Sequence, residues 1–263
     1  MIGETKLMIT ERILYLEGSG ERIEGLLCLP EGFSEEGGER ITTVVIAHGF
    51  GGCWRFFTGN VARVLAERGF VAYAFNFRNP DTRNMLHTSV LTEAKTLNIV
   101  LDEIGRQSFV DPERLYLLGE SQGGFVSAYV SAQRTDVKKL VLYYPAFVLQ
   151  DDARRRNPGY AEPGYVYPEI EKIGDNYVSG TYSEAALSFD IFDVIRNYPN
   201  DVLLIHGTQD PVVPLSYSER AAKNYPKARL EIIEGAGHGF YWGEPFERAL
   251  GLTAEFLRGA DWL

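Results

Sequence analysis

The segment Gly119-Glu120-Ser121-Gln122-Gly123 limits what this chain can fold into more than any other. An apolar run, Leu115-Tyr116-Leu117-Leu118, precedes it, and Phe125 to Ala132, able to form a helix, follows. A serine on a sharp strand-to-helix turn stands clear of its sheet, and the next residue's N–H points at a carbonyl oxygen under attack. Small residues two before and two after the serine let the backbone bend without collision. The plainer alternative is a Gly-rich turn with an incidental serine. The flanking strand and helix favour Ser121 as a nucleophile.

The rest of the chain supplies a setting for such a turn. Leu7 to Leu16 and Ile23 to Leu29 read as two strands around Gly18-Ser19-Gly20, a hairpin. Thr42 to Ala47, Phe70 to Phe77, Leu115 to Leu118 and Leu140 to Tyr144 are short apolar runs of the kind buried parallel strands show. Between them, Val61, Val64 and Leu65 form one helical face that Gly69 closes, and Val90, Ala94, Leu97, Leu101 and Ile104 form another. Strand and helix alternate, which predicts an α/β fold: a mostly parallel sheet with helices on both faces. The alternation stops at Pro145 and resumes with strands at Val202–Ile205 and Arg229–Ile233 and helices at Ser216–Tyr225 and Phe246–Leu257. Residues 146–199 are therefore expected to be a cap inserted after the sixth strand of one domain covering residues 1–263.

Composition excludes several classes of function. Hydrophobic residues make up 45% and charged residues 24%, a globular balance and not that of a disordered chain. The net charge is −10, and no basic tract exceeds Arg154-Arg155-Arg156, so nucleic acid is not an expected partner. No apolar run reaches the about 20 residues that span a bilayer, so membrane insertion is not expected. The first residues lack a basic-then-apolar leader pattern, and two cysteines, Cys28 and Cys53, make no disulfide framework. A cytoplasmic protein is expected, with a trimmed secreted form also compatible. The cysteines lack Cys-x-x-Cys spacing, so no metal is expected.

A serine nucleophile needs a base, and the chain has four histidines. His48, in His48-Gly49-Phe50-Gly51-Gly52, and His206, in His206-Gly207-Thr208-Gln209-Asp210, each end a strand before a tight turn and read as structural. The first of these turns looks like an oxyanion loop. His87 lies in a polar loop before the serine, and His238 in a Gly-flanked loop after the last strand. Asp210, braced by Pro211 and Pro214, is well placed as the acid, with Asp190, Asp193 and Asp201 as alternatives.

These motifs together resemble the serine α/β hydrolases, from about Ile23 to the C-terminus. In that superfamily the chain order is serine, acid, histidine. The resemblance implies Ser121, Asp210 and His238 as the catalytic set and the backbone N–H groups of Phe50 and Gln122 as the oxyanion hole. It also implies an acyl-enzyme mechanism with no cofactor. His48-Gly49-Phe50, Ser121-Gln122-Gly123-Gly124 and the insertion are, more narrowly, similar to bacterial feruloyl (cinnamoyl) esterases. One departure is the loop after the fourth strand, Asn76 to Arg83, which lacks the Gly-His-Gly of those enzymes.

Eight of the chain's 15 tyrosines fall between residues 143 and 198. A tyrosine ring offers an apolar face with a polar tip, which suits a phenolic acyl group and suits a protein core equally. Tyr160, Tyr165, Tyr167 and Tyr177 are the candidate substrate contacts. The expected partner is a small-molecule ester, and a homodimer is left open. Other serine hydrolases (a short-chain carboxylesterase, a lipase-like, dienelactone-type or peptidase-like enzyme) and a non-catalytic ligand-binding scaffold stand as alternatives.

Overall fold

A computed structural model describes residues 8–77 and 85–259. Its strands are β1 (Thr10–Gly18), β2 (Glu21–Leu29), β3 (Ile41–Ala47), β4 (Val71–Phe75), β5 (Val110–Glu120), β6 (Lys139–Tyr143), β7 (Ile170–Ile173), β8 (Asn176–Ser179), β9 (Asp201–Gly207) and β10 (Ala228–Ile233). Its helices are α1 (Phe57–Glu67), α2 (Val90–Gly105), α3 (Ser121–Ser131), α4 (Leu149–Arg156), α5 (Thr181–Leu187), α6 (Ile191–Val194), α7 (Leu215–Asn224) and α8 (Gly243–Arg258).

Eight strands form one sheet in the order β1-β2-β4-β3-β5-β6-β9-β10. The β1–β2 hairpin is antiparallel and joins β4 antiparallel; every other pairing in the sheet is parallel. The expected α/β architecture is therefore present. The central strands are apolar along their whole length because both faces are covered. On one face, Val61, Ala62, Leu65 and Ala66 of α1 and Ala249, Leu250, Ala254 and Leu257 of α8 pack on Val44, Ile46 and Leu118. On the other, Leu97, Val100, Leu101 and Ile104 of α2 and Phe125 and Val126 of α3 pack on Val45, Leu117 and Leu142. Each fully buried Val, Leu, Ile or Phe among these contributes about 1.5–3 kcal/mol relative to exposure.

The strand order reverses between β3 and β5. The chain leaves β3 for β4 on one side and returns to β5 on the other. Their carboxyl ends thus flank a crevice, the usual ligand site of an open α/β sheet. Gly49 and Phe50 follow β3 there, and Ser121 follows β5.

Residues 146–199 hold α4, the two-stranded β7–β8 sheet, α5, α6 and a short 3-10 turn, Ile195–Asn197. Among the boundaries that differ from the sequence expectation, two belong to the strand and helix that meet at Ser121. Helix α3 starts at Ser121 and not at Phe125, because β5 runs into it with no intervening residue. Strand β5 begins at Val110, paired with Ile41 across a register shift that the apolar pattern does not reveal. Of the loop that lacks Gly-His-Gly, Arg78 to Arg83 lie outside the described residues.

Candidate active site

Ser121 has φ +49, a left-handed conformation that is uncommon for a side-chain-bearing residue and concentrates at functional turns. The pentapeptide's glycines follow from it. A Cβ at Gly119 would lie 2.5 Å from the Gly123 carbonyl oxygen and the Ser127 hydroxyl. One at Gly123 would lie 2.3 Å from the His48 carbonyl oxygen. Both positions must be glycine for β5 to turn into α3 against β3.

Three of the predicted residues meet at the carboxyl ends of β5, β9 and β10. Ser121 Oγ is 3.0 Å from His238 Nε2, and His238 Nδ1 is 2.7 Å from Asp210 Oδ2. With Nδ1–H donating to the carboxylate, Nε2 carries the lone pair that accepts the serine proton. Asp210 Oδ1 accepts the N–H groups of Val212 and Val213, both at 2.8 Å. Burial pushes the Asp210 carboxyl up. Hydrogen bonds from His206, His238 and the Val213 N–H outweigh burial and hold its pKa well below the usual carboxylate range.

His206 is not satisfied by backbone alone, as its position at a strand end suggested. Its Nε2 donates to the Val213 carbonyl at 2.9 Å and lies 3.2 Å from Asp210 Oδ2, while Nδ1 accepts the Ser218 hydroxyl at 2.7 Å. Two histidines therefore face the same carboxylate oxygen. His48 fits its structural reading: Nδ1 donates to the Gly49 carbonyl, and Nε2 accepts the Phe77 N–H. Its complete burial lowers its pKa to about 4, against a raising contribution from the Gly49 bond, so the ring is neutral. His87 borders a separate depression with Ser89, Thr92 and Glu184.

The oxyanion candidates lie across the crevice. Gln122 is the second residue of α3, so its N–H is among the first-turn donors that a helix leaves without an internal acceptor. Its side chain is buried: Nε2 donates to Glu93 Oε2 at 2.7 Å, and Oε1 accepts the Tyr182 hydroxyl. The Tyr182 ring also packs edge-on against Phe50, centroids 5.6 Å apart. One tyrosine of the inserted segment thus touches both residues of the candidate hole. Nothing in the sequence around Tyr182 marks it out from the neighbouring tyrosines.

Glu120, the variable residue of the pentapeptide, is also buried in this wall. It accepts the Gly49 N–H at 3.2 Å and the Tyr144 hydroxyl at 2.7 Å. Burial raises its pKa, opposed by these two bonds and by the nearby His238. Tyr144 has φ +35, and its ring lies 4.6 Å from that of His238.

A cavity of about 680 Å³ opens on Ser121 and His238. Its walls are the oxyanion turn and the chain leading into α1 (Phe50, Cys53, Arg55, Phe56, Phe57, Asn60), together with Val212, Tyr241 and Trp242. The four candidate tyrosines do not line it. Tyr160 and Tyr165 hold the inserted segment together through Arg154 and Asn157, Tyr167 packs on Tyr165, and Tyr177 is 58% exposed on β8. These side chains serve local partners, and the aromatic walls come from chain segments beside α1 and α8. The run Phe240-Tyr241-Trp242, one residue beyond His238, was the available signal. Among the described residues, no group of three or more His, Cys, Asp or Glu is arranged to hold a metal ion, and no helix is long and apolar enough to cross a membrane.

An eight-stranded, mostly parallel sheet with a serine on a strained turn after β5 defines the α/β-hydrolase class. The chain belongs to the alpha/beta hydrolase family, whose sequence profile matches residues 44–251. Among its relatives is the "Putative carbamate hydrolase RutD" of Caulobacter sp. (strain K31), 24% identical over 233 residues, which are 75% of this chain and 84% of that protein. Among solved structures, Est1E from Butyrivibrio proteoclasticus superposes with TM-score 0.75 at 23% identity, covering 94% of this chain and 96% of that one. Est1E with ferulic acid bound gives TM-score 0.79 at the same identity, covering 93% and 98%. At this identity the likeness is one of fold.

Proposed function

We propose that this protein is a serine carboxylic-ester hydrolase that works through an acyl-enzyme, with hydroxycinnamoyl (feruloyl-type) esters as its acyl class. The observation that carries the reading is the unbroken chain of contacts from Ser121 Oγ through His238 to Asp210. His238 Nε2 takes the serine proton as Oγ attacks the ester carbonyl. Asp210 stabilises the imidazolium, and the N–H groups of Phe50 and Gln122 hold the developing oxyanion. The imidazolium gives its proton to the departing alkoxide. A water, deprotonated in turn by His238, then releases the carboxylic acid and restores Ser121.

The feruloyl assignment is supported by the sequence motifs around Phe50 and Ser121, and by the fold shared with a protein that binds ferulic acid. A carbamate is the second acyl class, favoured by the name of the Caulobacter relative. The test is a panel of methyl ferulate, p-nitrophenyl acetate and an N-alkyl carbamate ester, with fluorophosphonate labelling mapped by mass spectrometry. The label is expected on Ser121, and Ser121→Ala is expected to lose roughly 10⁴–10⁶ in kcat. Retention of more than a few per cent of activity by Ser121→Ala would overturn the reading.

A further inference from the structure

We propose that the cavity beside His238 binds the leaving alcohol of the substrate and selects a bulky, uncharged aryl-alkyl alcohol. The inference rests on the ester-hydrolase reading above and adds the half of the substrate which that reading leaves open.

The orientation follows from the proton. As the Ser121 Oγ–acyl bond forms and the acyl–alkoxide bond breaks, the proton that Nε2 took from Ser121 must pass to the alkoxide oxygen. The alcohol therefore leaves the reaction centre on the His238 side. The cavity lies there: His238 is one of its walls, and Tyr241 and Trp242, which follow it in the chain, are two more. Phe57 at the start of α1 adjoins Tyr241, ring centroids 5.1 Å apart, and beside it Phe56 lines the cavity. No residue of 146–199 contributes to it. The inserted segment instead meets Phe50 through Tyr182. An ester bound at Ser121 would thus place its alcohol in the part of this cavity that His238, Tyr241 and Trp242 line.

The chemistry follows from the walls. Phe56 is 67% exposed and Trp242 is 78% exposed, both at the mouth of a cavity that reaches a nucleophile. Large rings left open to water beside a reactive group mark a binding surface for an apolar guest. The volume falls within the roughly 300–1,000 Å³ usual for small-molecule sites, so methanol or ethanol would leave most of it to water. The walls do not call for charge. Arg55 is paired with Glu24 at 2.7 Å and stacks on Trp54. Glu120 directs its oxygens to Gly49 and Tyr144.

The experiment holds the acyl group constant and varies the alcohol, using the acetates of ethanol, 2-phenylethanol and 2-(2-naphthyl)ethanol, whose leaving groups are similar in acidity. kcat/KM is expected to rise about tenfold or more from ethyl to 2-phenylethyl. 2-(2-Naphthyl)ethanol is expected to bind in calorimetry and to inhibit competitively. Trp242→Ala and, independently, Phe56→Ala at an exposed position are expected to collapse the phenylethyl-to-ethyl ratio towards one and to weaken binding of the free alcohol. A flat ratio across the series would overturn the proposal. So would faster turnover of a sugar acetate than of 2-phenylethyl acetate, or a size preference that follows the acyl group. Those failures leave Ser121-dependent hydrolysis intact. Activity that survives Ser121→Ala overturns the proposed function instead, while alcohol binding still reports on the cavity.

Discussion

Glu120 accepts the Gly49 N–H at 3.2 Å, and that one contact joins the turn after β5 to the turn after β3. The other carboxylate oxygen takes the Tyr144 hydroxyl, whose ring packs against His238. A buried carboxylate thus braces three parts of the site from behind. Glu120→Ala is expected to leave two buried groups without their acceptor, at about 1–3 kcal/mol each, and to lower both Tm and kcat. Glu120→Gln keeps an oxygen for Gly49 and should keep most of kcat.

The pH dependence separates Glu120→Gln from the wild type. Burial raises the Glu120 pKa, so between the unfolded value of about 4.3 and the raised folded value the native state holds the extra proton. Over that interval stability falls as pH rises, and Glu120→Gln removes that fall. Thermal melts from pH 4 to 8 should show the Gln variant gaining on the wild type as pH rises. A Gln variant as inactive as the Ala variant would mean that the charge itself, and not the acceptor, is needed.

Asp210 gives the opposite sign. Its folded pKa lies below the unfolded value of about 3.9, so its ionised, hydrogen-bonded form contributes stability above that value. This contribution is lost as pH falls through 4 towards the folded pKa. Asp210→Asn should therefore be less stable than the wild type near neutrality, and the gap should narrow in melts taken down to pH 3. Its kcat should fall by about 10⁴, because an amide that donates to Nδ1 favours the wrong imidazole tautomer. A gap independent of pH would show that the Asp210 carboxylate contributes no linkage.

The candidates Ser121, Asp210 and His238 could be picked from the sequence because each follows a strand with a recognisable apolar run, and the chain order of the resembled family separates His238 from His206. What surrounds them was not. The variable position of the pentapeptide accepts many residues, so nothing in the pattern marks Glu120. The tyrosine enrichment measured composition and not direction: Tyr160 and Tyr165 turned inward to Arg154 and Asn157. The cavity walls arise where Phe57 meets Tyr241, rings 5.1 Å apart, across a separation in sequence that no local period reports.

His206→Ala is the variant on which sequence and structure part. A purely structural histidine would cost stability alone. Because Nε2 reaches the Asp210 oxygen that also holds His238, removing it should lower kcat as well, by about tenfold, far less than His238→Ala. A variant with reduced Tm but unchanged kcat would return His206 to a packing role.

If residues 146–199 only held the acyl group, their removal would impair large acyl groups and spare acetyl esters. Tyr182 changes that expectation. Its hydroxyl donates to the Gln122 side chain and its ring packs on Phe50, so a deletion withdraws support from both halves of the candidate oxyanion hole. Turnover of p-nitrophenyl acetate and methyl ferulate should fall together. Tyr182→Phe tests the point without a deletion: the ring still covers Phe50, while the buried Gln122 Oε1 loses its donor, at about 1–3 kcal/mol. If that cost falls on the position of the Gln122 N–H, kcat should drop about tenfold for both esters with KM little changed, since the hole acts on the transition state. A loss confined to methyl ferulate would instead make Tyr182 a contact for the acyl group.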